Sequence, residues 1–282
     1  MNQSADSWSK VIQPKSSLLD LKLKEVWEYR DLIMIFVRRD IVAVYKQTVL
    51  GPLWFFLGPL FTVVTFTFVF RNIANISTEN IPAPIFYLAG TTLWNYFSAS
   101  FTGTSNIFVA NASIFGKVYF PRLVAPISQI ISNLLKFFIQ LLMFFIFWVY
   151  YYLNGQISIN IYALLFPVLV ILMALMSLGI GIIISSMTTK YRDLQNFIGF
   201  GLTLLMYATP VIYPISAIPE AYQPFIQFNP LSPIIETFRY GFTGAGTFSW
   251  GALAYCSGFT AVVLLIGLIM FNQTERTFMD TV

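Results

Sequence analysis

The sequence has no histidine and one cysteine, Cys256. The common zinc sites and the Ser-His-Asp and Cys-His catalytic arrangements all need residues this chain does not supply. A lone cysteine cannot build a disulfide framework. No GxxxxGK[ST] phosphate loop occurs, since Gly116-Lys117 lacks both the leading glycine and the following hydroxyl residue. Uphill work would therefore draw on another subunit, with no cofactor on this chain. Charge is scarce as well: 10% of residues are charged, against about 25% in a soluble domain. Of the 12 acidic residues, six lie in the first 40 positions and none falls inside a long apolar stretch. No carboxylate is thus placed for an intramembrane metal or proton relay.

What the chain has in excess is apolar length. Hydrophobic residues make up 57%, and six stretches, 50–70, 85–110, 123–150, 161–187, 197–213 and 250–271, are long enough for helices across a bilayer core of about 30 Å. Lys136 is the one full charge inside any of them. The reading is an all-α polytopic membrane protein: six transmembrane helices over 50–272, an N-terminal amphipathic interfacial helix over 25–49, and re-entrant outer helices over about 214–247. Residues 1–24 are polar and Lys-rich, without the apolar core of a signal peptide, so the first span is expected to insert as part of the mature protein.

Lys and Arg set the orientation. Eight precede the first span, and Lys117, Arg122, Lys190, Arg192 and Arg276 bring the alternate connections to 13, while the opposite set holds only Arg71 and Arg239. Positive-inside bias places both termini, including the tail 273–282, in the cytoplasm. The net charge of +4 fits basic patches at a membrane face, not nucleic-acid binding.

Between Glu25 and Lys46 the pattern is helical but too short in apolar run to span, with Val26, Ile33, Val37 and Val44 on one line. Two roles fit: an anchor in the headgroup layer, and a helix that also presents charge to a cytoplasmic partner. Between spans five and six, Pro210, Pro214, Pro219, Pro224, Pro230 and Pro233 punctuate an apolar, aromatic segment. Proline opens helices and breaks their interiors, so short helices separated by turns are expected. Such backbone dips into a membrane only when packed on protein or lining a water-filled cavity. It is either a lid over a pathway or a cap on the helix ends.

Lys136 sits mid-span, too deep to snorkel, with Asn133 and Gln140 at i−3 and i+4 and Gln129 two turns back. It belongs either to a structural polar cluster or to the lining of a route for an anionic substrate. The aromatics (29 Phe, 15 Tyr, 6 Trp) mostly suit lipid-facing positions, but Trp94, Tyr96 and Phe97 form a denser group. Aromatic faces suit sliding sugar rings, although composition alone does not establish a sugar substrate.

Several motifs in order carry a resemblance: Arg38-Arg39-Asp40, then Tyr45 to Trp54 (YKQTVLGPLW), Gly90 to Phe97 (GTTLWNYF), Lys117 to Arg122 (KVYFPR), Tyr191 to Leu194 (YRDL), Thr209 to Tyr213 (TPVIY) and Asn229 to Pro233 (NPLSP) ahead of Arg239. Together they resemble polysaccharide-export ABC transporter permeases, the membrane subunits that export O-antigen, capsule or teichoic-acid chains across the bacterial cytoplasmic membrane. The resemblance implies a homodimer paired with two ATP-binding cassette subunits, which would hold ATP and Mg, and a lipid-linked glycan as substrate. ATPase coupling would fall to Arg38, Arg39, Lys117, Phe120, Pro121, Arg122, Tyr191, Arg192 and Asp193. Phe120 would be a knob for an ATPase groove, and Arg192 and Asp193 could instead cap the fifth helix. The substrate path would involve Trp54, Trp94, Tyr96, Phe97 and Lys136. Pro210, Tyr213, Pro214, Asn229, Pro230 and Arg239 would form the outer gate. An ABC permease of the same fold exporting a drug or lipid is the alternative, and a membrane-embedded transferase or scaffold needing no ATPase is a further rival.

Overall fold

The computed structural model describes residues 23–46, 51–191 and 193–281, and the described residues are helical or irregular, with no strand. A short helix α1 (Leu23–Glu28) meets α2 (Arg30–Tyr45) at Tyr29, so the single N-terminal run expected from the periodicity is two helices. Val26, Ile33 and Val37 are buried, as their shared line predicts, while Trp27, Met34 and Ile35 on other faces are exposed. Val44 lies at a position whose side chain is outside the description.

Among the described residues, four helical stretches are long and apolar enough to cross a membrane: Trp54–Ile73, Val124–Leu153, Ile161–Thr188 and Trp250–Glu275. The first comprises α3 (Trp54–Phe66) and a π-helical continuation, Thr67–Ile73. Next comes α4 (Ala83–Ser105), opened by prolines at its N-terminus. It is as long as a span but less apolar, carrying Thr91, Thr92, Asn95, Ser98, Ser100, Thr102 and Thr104. Those polar groups are tolerable because α4 is sheathed by its neighbours: Ile85, Phe86, Tyr87, Leu88 and Leu93 are fully buried.

The second apolar stretch was expected to run unbroken to residue 110. Instead the helix stops at Ser105 and is followed by single turns α5 (Ile107–Ala110) and α6 (Ala112–Phe115). Asn106 and Asn111 stand at the breaks, and each donates its side-chain amide to a backbone carbonyl four residues back, Thr102 and Ile107. Short amides that satisfy the backbone this way favour turns over helix.

Helix α7 (Val124–Leu153) packs on α4, and α8 (Phe166–Thr188) runs between α4 and the last long helix. The fifth apolar stretch forms α9 (Leu194–Tyr207), which ends short of the expected residue 213. Pro210 has no N–H to continue the ladder and restricts Thr209 before it. The proline-punctuated segment then folds as short pieces: a 3-10 turn Ile215–Ala217, α10 (Gln223–Gln227) and α11 (Ser232–Thr243). Gly244 ends α11 in the left-handed conformation, at φ 77°. Helix α12 (Trp250–Thr281) closes the fold and stays helical beyond residue 272.

Small residues let α8 and α12 approach closely. A Cβ on Gly267 would stand 2.7 Å from the Gly179 carbonyl oxygen, so neither helix could shift outward to accept one without losing the contact. Outside, Phe61 on α3, Phe68 on its π-helical continuation, Leu142 and Ile146 on α7 and Val262 and Leu265 on α12 are exposed, an apolar surface of the kind lipid covers.

Candidate functional site

Two ends of the bundle and one polar line between them hold the residues of interest. At the end where α2 meets α12, a cluster of Val26, Ile33, Phe36, Val37, Phe108, Phe115, Phe120, Leu123 and Phe271 joins α2 to the bundle. Phe120 is 5% exposed and packs edge-on to Phe36 at 5.8 Å, with Phe115 at 5.6 Å. The knob expected of Phe120 is therefore turned inward, because the pocket between α2 and α6 offers it more apolar contact than solvent does. The large side chains presented here are Val118 and Tyr119, 59% and 54% exposed, beside exposed Lys117. Pro121 is buried. Arg122 is half-buried; its Nη1 donates to the Glu275 carbonyl oxygen at 2.6 Å, and its guanidinium lies 5.6 Å from the Phe115 ring. Burial pulls the Arg122 pKa below its ordinary value, and the Glu275 charge pushes it back up. Thr188 at the end of α8 donates to the Ser105 carbonyl, so the connection after α8 emerges at this same end. Tyr191 and Asp193 are exposed there. Asp193 stands at the N-cap position of α9 without a side-chain capping bond; Arg192 lies outside the described residues.

Arg38 and Arg39 are exposed on α2. Arg39 pairs with Asp40 at 2.9 Å and lies over Phe36 at 4.7 Å. The other carboxylate oxygen of Asp40 accepts the side-chain amide of Gln129 at 2.6 Å, tying α2 to α7. The line continues along α7: Lys136 Nζ donates to Asn133 Oδ1 at 3.0 Å, and Asn95 of α4 donates to Gln140 Oε1 at 3.4 Å. Lys136 is thus held partly buried on a polar stripe formed with the neighbours its spacing predicts. Trp94, Tyr96 and Phe97 are 6%, 2% and 1% exposed and pack on Phe97, Phe137 and Phe101. They form core within the single chain, whereas Trp54 is half exposed.

At the opposite end the residues expected to form the gate converge. Arg239, fully buried, pairs with Glu236 at 2.9 Å and donates to the carbonyl oxygens of Pro210 at 2.9 Å and Val211 at 3.4 Å. Its guanidinium lies 3.8 Å above the Phe86 ring. The second oxygen of Glu236 accepts the Thr247 N–H at 3.2 Å. Asn229 donates to the Ala208 carbonyl at 2.9 Å and to Thr209 Oγ1 at 2.8 Å, and its own Oδ1 accepts the Leu231 N–H. Tyr213 donates its hydroxyl to the Tyr207 carbonyl; Pro210 and Pro214 are buried and Pro230 is half-buried. Side chains from α11 and its approach therefore satisfy the carbonyls left open where α9 ends, which buried irregular backbone requires. Gly90 completes the joint: a Cβ there would stand 2.5 Å from the Val211 oxygen.

Sequence reasoning singled out Arg239 and Asn229 but not Glu236, Phe86 or the Asp40–Gln129 bond. Glu236 carried a signal, since it stands at i−3 from Arg239 on one helix. The other contacts join distant parts of the chain and have no local pattern.

Residues 31–243 match the family model described as ABC-2 type transporter. The chain is 29% identical over 264 residues, 93% of its length and 99% of the relative's, to the O-antigen export system permease protein RfbA of Klebsiella pneumoniae. It is 30% identical over 220 residues to a protein of the same description from Myxococcus xanthus, covering 77% of this chain and 82% of that one. The polysialic acid transport protein KpsM of Escherichia coli is 25% identical over 244 residues, 86% of this chain and 93% of KpsM. Apolar helices able to cross a membrane and a match over most of the length lead to one assignment: this multi-pass membrane chain belongs to the ABC-2 type transporter family.

Proposed function

We propose that the chain is the transmembrane permease subunit of an ATP-driven exporter that moves a lipid-linked polysaccharide, O-antigen or a similar cell-surface glycan, across the bacterial cytoplasmic membrane. The observation that carries this reading is the similarity to O-antigen export permeases along nearly the whole chain. A sequence without a nucleotide-binding loop agrees, since hydrolysis of ATP with Mg then belongs to a partner subunit.

Six spans are the topology we favour. Helix α4, with 23 residues, is about 35 Å long, and its polar groups are covered by protein. Helix α9, with 14 residues, reaches only about 21 Å. The buried 209–212 backbone then continues its path toward the far end. The segment 214–247 would dip into the outer leaflet as a gate, with both termini in the cytoplasm by the Lys and Arg bias. Helix α3 with its π-helical continuation and helix α9 are little covered, with Phe61, Phe68, Phe197, Phe200 and Leu204 exposed. They supply apolar surface for a seam with an identical copy, and the glycan would pass along that seam.

Closure of two ATP-binding subunits would push on Lys117–Val118–Tyr119, on the connection around Tyr191 and Asp193, and on α2. The Asp40–Gln129 bond and the Arg122–Glu275 bond would carry that push into α7 and α12. The far-end joint at Arg239 would then yield and open the path.

The test is co-expression with an ATPase encoded beside it in cells lacking their own exporter, followed by staining of surface glycan. Surface glycan should require both subunits and ATP hydrolysis. Export of a small amphiphile in place of glycan, or activity indifferent to the ATPase, would defeat the proposal.

A further inference from the structure

Beside the gate lies a cavity of about 660 Å³ that the export reading does not use. Gln223 and Gln227 line it from α10, Ser232 and Glu236 from α11, and Thr247 and Ser249 from the approach to α12. Hydrogen-bonding groups thus face one space from three elements. Most of them are amides and hydroxyls, which can both donate and accept. Gln223 donates its amide N–H to the Ile218 carbonyl and keeps its own carbonyl oxygen, and Ser232 donates its hydroxyl proton to the Ile226 carbonyl. The Glu236 carboxylate is 3% exposed, so its place in the wall is fixed by burial. Its charge is met by Arg239 at 2.9 Å, which leaves the cavity close to neutral and a poor host for a cation.

Next to Ser249 in the chain, Trp250 is 62% exposed and part of an aromatic group with Phe248 at 5.0 Å and Tyr162. A near-neutral wall of amide and hydroxyl groups, with apolar Ile215, Pro233 and Ala252 beside them, suits a ligand that offers many hydroxyls and apolar C–H faces. We propose that this cavity binds sugar rings of the exported glycan at the far side of the gate, an inference that rests on the export reading. Its volume lies within the range of about 300–1,000 Å³ typical of small-molecule sites and has room for more than a single ring. Rings held there would be kept from sliding back each time the gate recloses.

The test uses the complete transporter with its ATPase in lipid nanodiscs. Ser249 is exposed, and the native Cys256 is fully buried, so Ser249→Cys can be labelled selectively with an environment-sensitive fluorophore. The probe is surface glycan released from the source cells by mild acid. A saturable fluorescence shift is expected, weakened about tenfold or more by Gln227→Trp, which fills the cavity, and by Gln223→Leu, which removes an acceptor at similar bulk. No saturable shift, a shift that both variants leave unchanged, or the same shift from calcium chloride alone would overturn the site. Export that proceeds with no shift removes the cavity and spares the export reading. A shift in a transporter that exports no glycan does the reverse.

Discussion

Replacing Arg239 by methionine removes a charge that is fully buried and answers four groups at once: the Glu236 carboxylate, the Pro210 and Val211 carbonyls, and the Phe86 ring. Glu236 would remain 3% exposed, with only the backbone N–H and side chain of Thr247 to answer it. Breaking a buried pair from one side costs about 3–5 kcal/mol, most of it the uncompensated charge left behind. Removing both charges with Glu236→Gln and Arg239→Met should cost less, by about 2 kcal/mol, because no bare charge remains. Thermal unfolding in nanodiscs, followed by tryptophan fluorescence, should order the proteins wild type, double variant, Arg239→Met. Since Arg239 also holds the backbone that ends α9, both variants should leak a small polar dye through liposomes without ATP. If the single variant were as stable as the double one and leaked no dye, the buried pair would not be holding the gate.

Gly90→Ala should destabilise by about 1–3 kcal/mol and impair export, because its methyl group meets the Val211 backbone oxygen at 2.5 Å; wild-type stability and export would contradict the close approach. Phe120→Ala should cost about 3–5 kcal/mol as a core truncation. A Val118→Ala, Tyr119→Ala double variant should instead unfold normally but lose co-purification with the ATPase. The reverse pattern would mean that Phe120, not its exposed neighbours, meets the partner. Asp40→Ala removes a charged hydrogen bond to Gln129, worth about 1.5–3 kcal/mol. Hydrogen exchange across residues 30–45 should accelerate while α8 stays protected, and unchanged exchange would show that α2 is held by its apolar face alone.

In the N-terminal segment, helical periodicity marks the buried face but not the place where the helix breaks. Val26, Ile33 and Val37 lie on one helical line and are buried, because a docked helix has a single face to hide. The break at Tyr29 left no mark in that pattern. Phe120 shows the opposite case, since aromatic character in a loop says nothing about direction. Whether it points out or in depends on the pocket that Phe36 and Phe115 provide. The end of α9 was readable in principle from Pro210, and the breaks at Asn106 and Asn111 less so, because asparagine is tolerated in helices as well as turns.

Sequence alone was enough to establish helical apolar stretches, the lack of histidine and of a nucleotide-binding loop, and the proline-broken segment. Each follows from local rules: apolar backbone in lipid must satisfy its own hydrogen bonds, chemistry needs particular side chains, and proline has no N–H. Only the tertiary structure decided that Arg239, Glu236, Phe86 and Val211 meet, that Gly90 is the seat of that joint, and that Asp40 reaches Gln129. These are contacts between segments far apart in the chain. Their strength comes from the dry, close-packed place where they meet, and that place exists only once the helices have assembled.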